Sequence, residues 1–189
     1  ADLVLALPFN TTGGDVSANV RGTGTNKVST DTGATTSTDQ SIFYGTSYKF
    51  TGGDDYITFS DVQDWYFNGD FTVEGWVWFD ADATSNEETI ISQWNAAATG
   101  SSSYSTGFKI VRHSSDGTVS ATQSRSNSTN YVVQSSKPLA LDRWYHIAVV
   151  LSGTTLSLYL DGLLQRSTTV AGNANNSGMR LMIGAQDNN

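Results

Sequence analysis

The segment from 71 to 79 constrains the fold of this chain more than any other stretch. Its sequence is Phe-Thr-Val-Glu-Gly-Trp-Val-Trp-Phe, an almost unbroken series of aromatic and β-branched residues with one charge, at Glu74. This composition predicts a β-strand. Because successive side chains of a strand point to opposite faces, both faces of this one would carry bulky apolar groups. We therefore expect the strand near the middle of a sheet, with a second sheet over one face and loops or a partner over part of the other.

Short apolar or alternating runs between polar turns predict further strands along the whole chain. These strands are expected at 3–7, 47–50, 55–59, 89–94, 107–112, 118–122, 131–133, 143–151, 156–160, 163–170 and 179–184. The segments 47–50 and 55–59 flank the turn Gly52-Gly53-Asp54 and are expected to pair as a hairpin. Residues 10–40 are polar and predict a long surface loop, with weak strands at 16–20 and 27–29. Since no segment has a helical period over several turns, the pattern favours an antiparallel sandwich or jelly roll.

Length and charge narrow the classes of function. A chain of 189 residues is long enough for one substantial core, so we expect a single domain over residues 1–189. The formal net charge of −8 disfavours nucleic acid as a partner, because binding phosphates requires Lys and Arg in place of counterions. No stretch approaches the roughly 20 apolar residues that cross a bilayer, so we expect no membrane insertion. With 0 Cys, the sequence offers no disulfide that would indicate a compartment.

Several motifs resemble, in their order along the chain, those of laminin-G-like domains. The strand Phe-Thr-Val-Glu-Gly-Trp-Val at 71–77 is similar to the family's "FTIEFWV", and Arg-Trp-Tyr-His-Ile-Ala at 143–148 is similar to "W-x-H-V-A". The segment 158–162 resembles "LYVDG", Ile183-Gly184 resembles the following "IG", and 48–57 resembles the hairpin near the family's start. The resemblance implies an all-β fold, an antiparallel two-sheet jelly-roll sandwich that is concanavalin A-like and related to the pentraxins. Domains of this type occur in bacterial surface proteins and phage virion proteins.

The family's sequence normally continues with a last strand of the form F-x-G-x-I-D-D-V-R-I, close to the N-terminal strand. This sequence has no such segment before its last residue, Asn189. We expect the natural polypeptide to be longer than 189 residues, which an intact mass equal to that of this chain would contradict. The alternative is that a neighbouring chain supplies the strand. Without it, the predicted strand 3–7 would have an unpaired edge, which favours aggregation.

The residue types needed for hydrolysis are too few and too scattered to indicate an enzyme. His113 and His146 are the only histidines, and His146 lies in a predicted strand at a position that is structural in the resembled family. No Ser, His and Asp spacing near either one suggests a catalytic triad. Glycosidases of the related fold carry paired carboxylates on one strand as acid and nucleophile. The only Glu residues are Glu74, Glu87 and Glu88, without an E-x-D-x-x-E pattern, so we expect a non-enzymatic protein.

Calcium is the candidate cofactor, because this ion prefers several carboxylate and carbonyl oxygens in one place. The resemblance to pentraxins implies ligands directly after the "IG" strand, at 186–188. The second half of such a site would fall on Ser105-Thr106, whose hydroxyls are weak ligands, and a Gly-rich turn at 52–55 offers a different site. The candidate ligands are Asp54, Asp55, Gln186, Asp187 and Asn188. The alternative, which we favour, is that all of them are turn residues with local side-chain hydrogen bonds.

Aromatic residues in or beside predicted loops are the candidate ligand-binding residues, because the apolar face of a sugar stacks on an aromatic ring. They are Trp65, Tyr66, Trp94, Tyr104 and Tyr131. For Trp65 and Trp94 we favour the alternative that each ring closes one end of the core.

Together these features predict a non-enzymatic binding or structural module. Our first hypothesis is a virion domain, in a fibre, tail or capsid decoration, or a cell-surface domain, that recognises glycans or a host surface. One alternative is a purely structural assembly module completed by a neighbouring chain, and another is the carbohydrate-binding domain of a larger extracellular enzyme. The expected partners are a glycan or host-surface receptor, neighbouring structural chains, or both. The expected location is extracellular or on a virion surface.

Overall fold

The computed structural model describes residues 3–10, 13–52, 54–80, 87–97, 105–126 and 129–187. Within them the chain forms two large antiparallel sheets, of seven and four strands, and a small sheet of two strands. The two large sheets enclose one apolar core. This architecture confirms the predicted all-β, antiparallel two-sheet jelly-roll sandwich. The helical elements among the described residues are α1 (Ser17–Arg21) and a single 3₁₀ turn (Gln63–Trp65).

The strands follow one another along the chain. They are β1 (Ser29–Thr32), β2 (Thr35–Ser37), β3 (Ser47–Lys49), β4 (Tyr56–Phe59), β5 (Phe71–Trp78), β6 (Glu87–Trp94), β7 (Thr106–His113), β8 (Val119–Arg125), β9 (Thr129–Gln134), β10 (Trp144–Ser152), β11 (Thr155–Leu160), β12 (Leu163–Thr169) and β13 (Leu181–Ile183). The strands from β6 to β13 lie where the sequence pattern predicts strands, with boundaries that differ by a few residues.

The order of strands in the sheets produces the jelly roll. The larger sheet has the order β1-β4-β13-β6-β7-β8-β9, and the smaller has the order β12-β11-β10-β5. The last strand, β13, thus lies between β4 and β6, and β5 lies beside β10. The buried side chains between the sheets form the core, and they include Ile57, Phe59, Phe108, Ile110, Val119, Ala121, Val149, Leu151, Leu156, Leu158 and Leu181.

The expected central position of the 71–79 strand is wrong. The segment does form β5, but among the described residues β5 pairs with β10 alone and is an edge of the four-stranded sheet. Its inward side chains are only partly buried against the core. On its outward face, Trp76 packs on His146 and Trp78 packs on Trp144. The apolar residues on both faces therefore reflect cross-strand aromatic pairs at a surface, rather than a cover over the second face.

The hairpin expected from 47–50 and 55–59 is also wrong. β3 pairs with β2, whereas β4 pairs with β1 on one side and β13 on the other. Between β3 and β4, the carboxylate of Asp55 accepts hydrogen bonds from the backbone N–H and the hydroxyl of Thr51. This local bond closes a turn without bringing the two strands side by side. The burial of Ile57 and Phe59 between the sheets decides the place of β4 instead.

The N-terminal region differs from the prediction in two places. The segment 3–9, which includes the strand expected at 3–7, is not a strand, and most of the weak strand expected at 16–20 is the helix α1. The weak strand expected at 27–29 overlaps β1 at its last residue. The buried carboxylate of Asp15 explains the arrangement, since it accepts hydrogen bonds from the backbone N–H groups of Ala6, Ser17 and Lys27. In this region the backbone N–H groups therefore bond to the Asp15 side chain, rather than to the backbone of a neighbouring strand. In the part of the chain that the structure describes, no helix is long and apolar enough to span a membrane.

Candidate functional site

Exposed aromatic rings cluster where the loop between β2 and β3 meets the outer face of β5. The ring of Phe43 stands edge-on to that of Trp76, with 6.1 Å between centroids, and lies 6.3 Å from that of Tyr44. The ring of Trp76 in turn lies 5.2 Å from the imidazole of His146. Phe43, Tyr44 and Trp76 are 55%, 79% and 41% exposed. We call Phe43, Tyr44, Trp76 and His146 the aromatic patch.

Strand alternation and a tight turn position these rings. Trp76 and His146 are register partners in the β5–β10 ladder, so their side chains emerge on the same face of the sheet. In the loop, Tyr44 and Gly45 both have positive φ, of 59° and 74°, and thereby reverse the chain after Phe43. The hydroxyl of Thr46 then donates to the carbonyls of Phe9 and Asn10 and ties the end of the loop to the N-terminal segment. The patch therefore joins two regions that are distant in sequence.

Polar groups border the patch. A carboxylate oxygen of Glu74 lies 3.6 Å from Nε2 of His146, and the Glu74 side chain is more than half exposed. In the turn between β11 and β12, the carboxylate of Asp161 accepts a hydrogen bond from the backbone N–H of His146. The same carboxylate forms an ion pair of 2.7 Å with the guanidinium of Arg143. Exposed rings beside a carboxylate and an imidazole provide both a stacking surface and hydrogen-bonding groups. This combination suits a ligand that has an apolar face and hydroxyl groups.

Two of the predicted aromatic ligand-binding residues lie inside the fold. Trp65 is 2% exposed and Trp94 is 6% exposed. The indole N–H of Trp65 donates to the Ser60 carbonyl, and its ring packs edge-on against Phe59. The Trp94 ring is covered by the ammonium group of Lys109 at 5.1 Å. Neither ring therefore offers an open face to a ligand in this arrangement.

Two other predicted aromatic residues lie in the neighbourhood of Arg125. Tyr66 and Tyr131 are both half-buried and both close enough to Arg125 to act on its pKa. Burial lowers the pKa of Arg125, and the two tyrosines act in the opposite direction. Its guanidinium donates to the Gly172 carbonyl and to Oε1 of Gln123. The fifth predicted aromatic residue, Tyr104, lies outside the described residues.

The predicted calcium ligands after β13 are occupied by protein partners. Arg180 holds the buried carboxylate of Asp187 in a two-point contact, with distances of 2.8 and 3.0 Å. Because the guanidinium is cationic and takes both carboxylate oxygens, Asp187 has little left for a metal ion. The side-chain amide of Gln186 donates to Glu87 at 2.9 Å, while Asn188 lies outside the described residues.

The predicted ligands in the turn before β4 do not complete a site either. Asp54 is exposed, and the hydrogen bonds from Thr51 lower the pKa of Asp55. Across the described ranges, no group of three or more His, Cys, Asp or Glu side chains is placed to hold a metal ion. The residues as arranged do not fit a calcium ion, and calcium binding stays a prediction for experiment to decide.

The residues of the aromatic patch were not among those predicted from the sequence to bind a ligand. Ile42-Phe43-Tyr44 is a short apolar run inside an otherwise polar loop, which is a local signal for exposed apolar residues. Trp76 gave no such signal, because its strand was expected to be covered on both faces. Its exposure follows only from the edge position of β5.

Comparisons with known proteins agree with the fold. A family model described as Laminin_G_3, of the concanavalin A-like lectin/glucanases superfamily, matches residues 51–189. Among solved structures, the binding domain of Paraclostridial Mosquitocidal Protein 1 matches with a TM-score of 0.69 and 14% identity, over 99% of this chain and 45% of that one. The botulinum neurotoxin type G receptor-binding domain matches with a TM-score of 0.65 and 16% identity, over 100% of this chain and 45% of that one.

The similar structures share little sequence with this chain and are more than twice as long. The receptor-binding domain of botulinum neurotoxin D is similar at a TM-score of 0.63 and 17% identity, over 94% of this chain and 43% of that one. This chain thus spans less than half of each of these domains, and identities this low show a shared fold alone. A comparison with curated proteins finds no match.

Proposed function

Because the chain belongs to the concanavalin A-like lectin/glucanases superfamily, we propose that it is a non-catalytic module that binds glycans, or a receptor that carries them, through the aromatic patch. The observation that carries this proposal is the set of three exposed rings beside the Glu74–His146 pair. The solved structures with a similar fold include domains described as receptor-binding, which supports a binding role. We further propose that the module acts outside the cell or on a virion surface, where such ligands are presented.

The patch would bind a sugar by stacking and by hydrogen bonds. The apolar face of a pyranose would lie on the ring of Trp76 or Tyr44, which are exposed and would be covered by the sugar. The Glu74 carboxylate would accept hydrogen bonds from sugar hydroxyls, and the imidazole of His146 would donate or accept. Because the rings of the patch are exposed, one site would bind weakly, and ordering the ligand would offset part of the gain.

The charges around the patch argue against hydrolysis. A glycosidase needs two carboxyl groups at a separation of about 5–9.5 Å across the scissile bond. At the patch, Glu74 is the carboxylate beside His146, and Asp161 is already paired with Arg143. Glu87 and Glu88 belong to the seven-stranded sheet. There Glu87 forms an ion pair of 2.6 Å with Lys109, and Glu88 forms one of 2.6 Å with Arg112. These positions support binding without catalysis.

A glycan array tests the proposal directly. The purified protein is applied with calcium and again with EDTA, alongside the variants Trp76→Ala and Phe43→Ala. We expect at least a tenfold weaker signal for both variants and no effect of EDTA. Val28→Ala is the matched control, because Val28 is also an exposed apolar residue but directly precedes β1 of the other large sheet.

Each other outcome would overturn a stated part of the proposal. Binding that is lost in Tyr66→Ala or Tyr131→Ala but kept in Trp76→Ala would place the site near Arg125 instead. Binding lost in EDTA would establish a calcium-dependent site and contradict a metal-free patch. No binding by the folded protein in either condition would refute glycan recognition.

A further inference from the structure

Arg125, the last residue of β8, is a buried cation that has no carboxylate partner among the described residues. It is 3% exposed. The other Lys and Arg residues in buried or half-buried positions each have such a partner: Lys27 with Asp64, Lys109 with Glu87, Arg112 with Glu88 and Arg180 with Asp187. Because an unpaired charge inside a protein is strongly destabilising, this exception points to an anion that the described chain does not supply.

The guanidinium of Arg125 is only partly satisfied by the protein. One terminal nitrogen donates to the carbonyl of Gly172 at 3.0 Å, and the other donates to Oε1 of Gln123 at 2.8 Å. Both acceptors are uncharged. The third nitrogen, Nε, is buried and has no hydrogen-bond partner within the described part of the chain. Since Nε and a neighbouring terminal nitrogen form the planar fork that holds two carboxylate oxygens, the unused donors match a carboxylate.

The fold places Arg125 at one end of the space between the two large sheets. Val119 and Ala121 of β8 face the core, so by strand alternation Gln123 and Arg125 continue the same inward row. Tyr131 on β9 is the register partner of Gln123 and packs against the core from the same side. The inward row of β8 thus changes from apolar to polar toward this end of the sandwich.

The guanidinium lies close to the surface although it is covered. Tyr66 and Tyr131 beside it are half-buried, and Gly172, whose carbonyl it contacts, is exposed. Among the described residues, the side chains that act on the pKa of Arg125 are these two tyrosines, so no second cation is present. A singly charged carboxylate therefore matches the site better than a doubly charged phosphate. The tyrosine rings provide surfaces on which a sugar can stack, and their hydroxyls can donate to it.

We propose that Arg125 binds the carboxylate of an acidic sugar, a uronic acid, with Tyr66 and Tyr131 against the sugar ring. The carboxylate accepts hydrogen bonds from Nε and the adjacent terminal nitrogen. The choice of a carboxylate rests on Arg125, whereas the choice of a sugar to carry it rests on the proposed function. The site belongs to the seven-stranded sheet and is separate from the aromatic patch, whose strands belong to the four-stranded sheet. Because the formal charge of −8 repels acidic ligands at a distance, the selection comes from this local contact.

The first test observes the Nε–H group of Arg125 by nitrogen-15 NMR in the unmodified protein. Titration with sodium glucuronate should shift this resonance until it saturates, because the carboxylate becomes its acceptor. Glucose, which lacks the carboxylate, should leave it in place, as should sodium chloride at the same ionic strength. The Nε–H of Arg166, which is exposed on β12, is the internal control. This test needs no substitution at a buried position.

The second test compares variants by calorimetric titration with glucuronate. Arg125→Lys keeps the positive charge but removes Nε and the fork, so it should weaken binding at least tenfold. Tyr131→Phe keeps the ring and removes the hydroxyl, so it should weaken binding by a smaller factor. Arg166→Lys is the matched control and should bind as the unmodified protein does. Circular dichroism establishes that each variant is folded.

Each part of the proposal has a result that would overturn it. An Nε–H resonance of Arg125 that glucuronate does not move, or that chloride moves as far, would refute the site. Unweakened binding by folded Arg125→Lys would refute the fork. Acetate that binds as tightly as glucuronate would refute the sugar, and tighter binding of a sulfated sugar would refute the choice of a carboxylate. Neutral glycans report on the aromatic patch alone, so the proposed function and this site can fail separately.

Discussion

The Asp15 centre gives a sharp prediction about the N-terminal region. Its carboxylate is buried and accepts hydrogen bonds from the backbone N–H groups of Lys27, Ser17 and Ala6, at 2.7, 2.8 and 3.0 Å. Asp15→Ala would leave these three donors without a partner. An unsatisfied buried donor costs about 1–3 kcal/mol, and some of the donors would recover water, so we expect a loss of about 3–5 kcal/mol. That is a large part of the roughly 5–15 kcal/mol by which a domain is stable.

Urea denaturation followed by circular dichroism measures this loss, and hydrogen exchange locates it. We expect faster exchange at residues 6, 17 and 27 before the strands of the core are affected. Asp39→Ala is the control, because the exposed carboxylate of Asp39 bonds to Lys49 and Ser37 at the surface, and the denaturation midpoint of this variant should match that of the unmodified protein. If Asp15→Ala unfolds at the same urea concentration as the unmodified protein, the carboxylate does not organise this region.

The same centre predicts a dependence on pH. Burial opposes ionisation of Asp15, but the hydrogen bonds from Lys27, Ala6 and Ser17 outweigh it and lower the pKa below the ordinary value of 3.8. Since the folded state binds the proton less readily than the unfolded state, the stabilisation is complete above pH 3.8 and is lost as the pH falls through the lower folded value. The difference in the free energy of unfolding between the unmodified protein and Asp15→Asn should therefore become smaller as the pH falls below 3.8.

Three further predictions concern the rest of the fold. Arg180→Met should cost about 2–4 kcal/mol in urea denaturation because it removes the cation that neutralises the buried Asp187 carboxylate, whereas Arg180→Lys should recover part of the loss; equal stabilities would contradict a structural role for the ion pair. Because Arg180 already neutralises Asp187, addition of calcium or EDTA should shift the melting temperature by less than about 1 °C, and a larger rise with calcium would show that the ion competes with Arg180. Leu158→Ala, in the centre of the core, should cost about 2–5 kcal/mol, whereas Leu163→Ala on exposed β12 should change the stability little; similar losses for the two would contradict the assigned core.

Local patterns were enough to predict the later hairpins. The Asp116-Gly117 and Asp161-Gly162 turns join β7 to β8 and β11 to β12 as expected, and both glycines have positive φ. The information for such a hairpin lies in the turn residues and in the period-two pattern beside them. The turn at 52–54 looked equally favourable but joins no hairpin, because the burial of β4 between β1 and β13 outweighs it. The strand expected beyond Asn189, or its supply by a neighbouring chain, stays a prediction.

The candidate site was less predictable than the fold. Five aromatic residues were predicted to bind a ligand because they lie in or beside loops, but the side chains of Trp65 and Trp94 are buried in the protein. The direction of a loop side chain has no sequence period, so loop position alone does not separate an exposed ring from a buried one. The carboxylates near the C-terminus met the same difficulty, since the pairing of Asp187 with Arg180 is a contact that spacing does not encode.

The sequence by itself determined that this chain is a sandwich of short antiparallel strands and where most of those strands lie. These properties depend on composition and on local periods of side chains, which each segment carries independently of the others. Only the tertiary structure decided that β5 is an edge, that Trp76 is exposed there, and that Phe43 from a distant loop packs against it. Such placements depend on which strands pair across long stretches of chain, and that choice is set by the summed burial of many side chains rather than by any one motif.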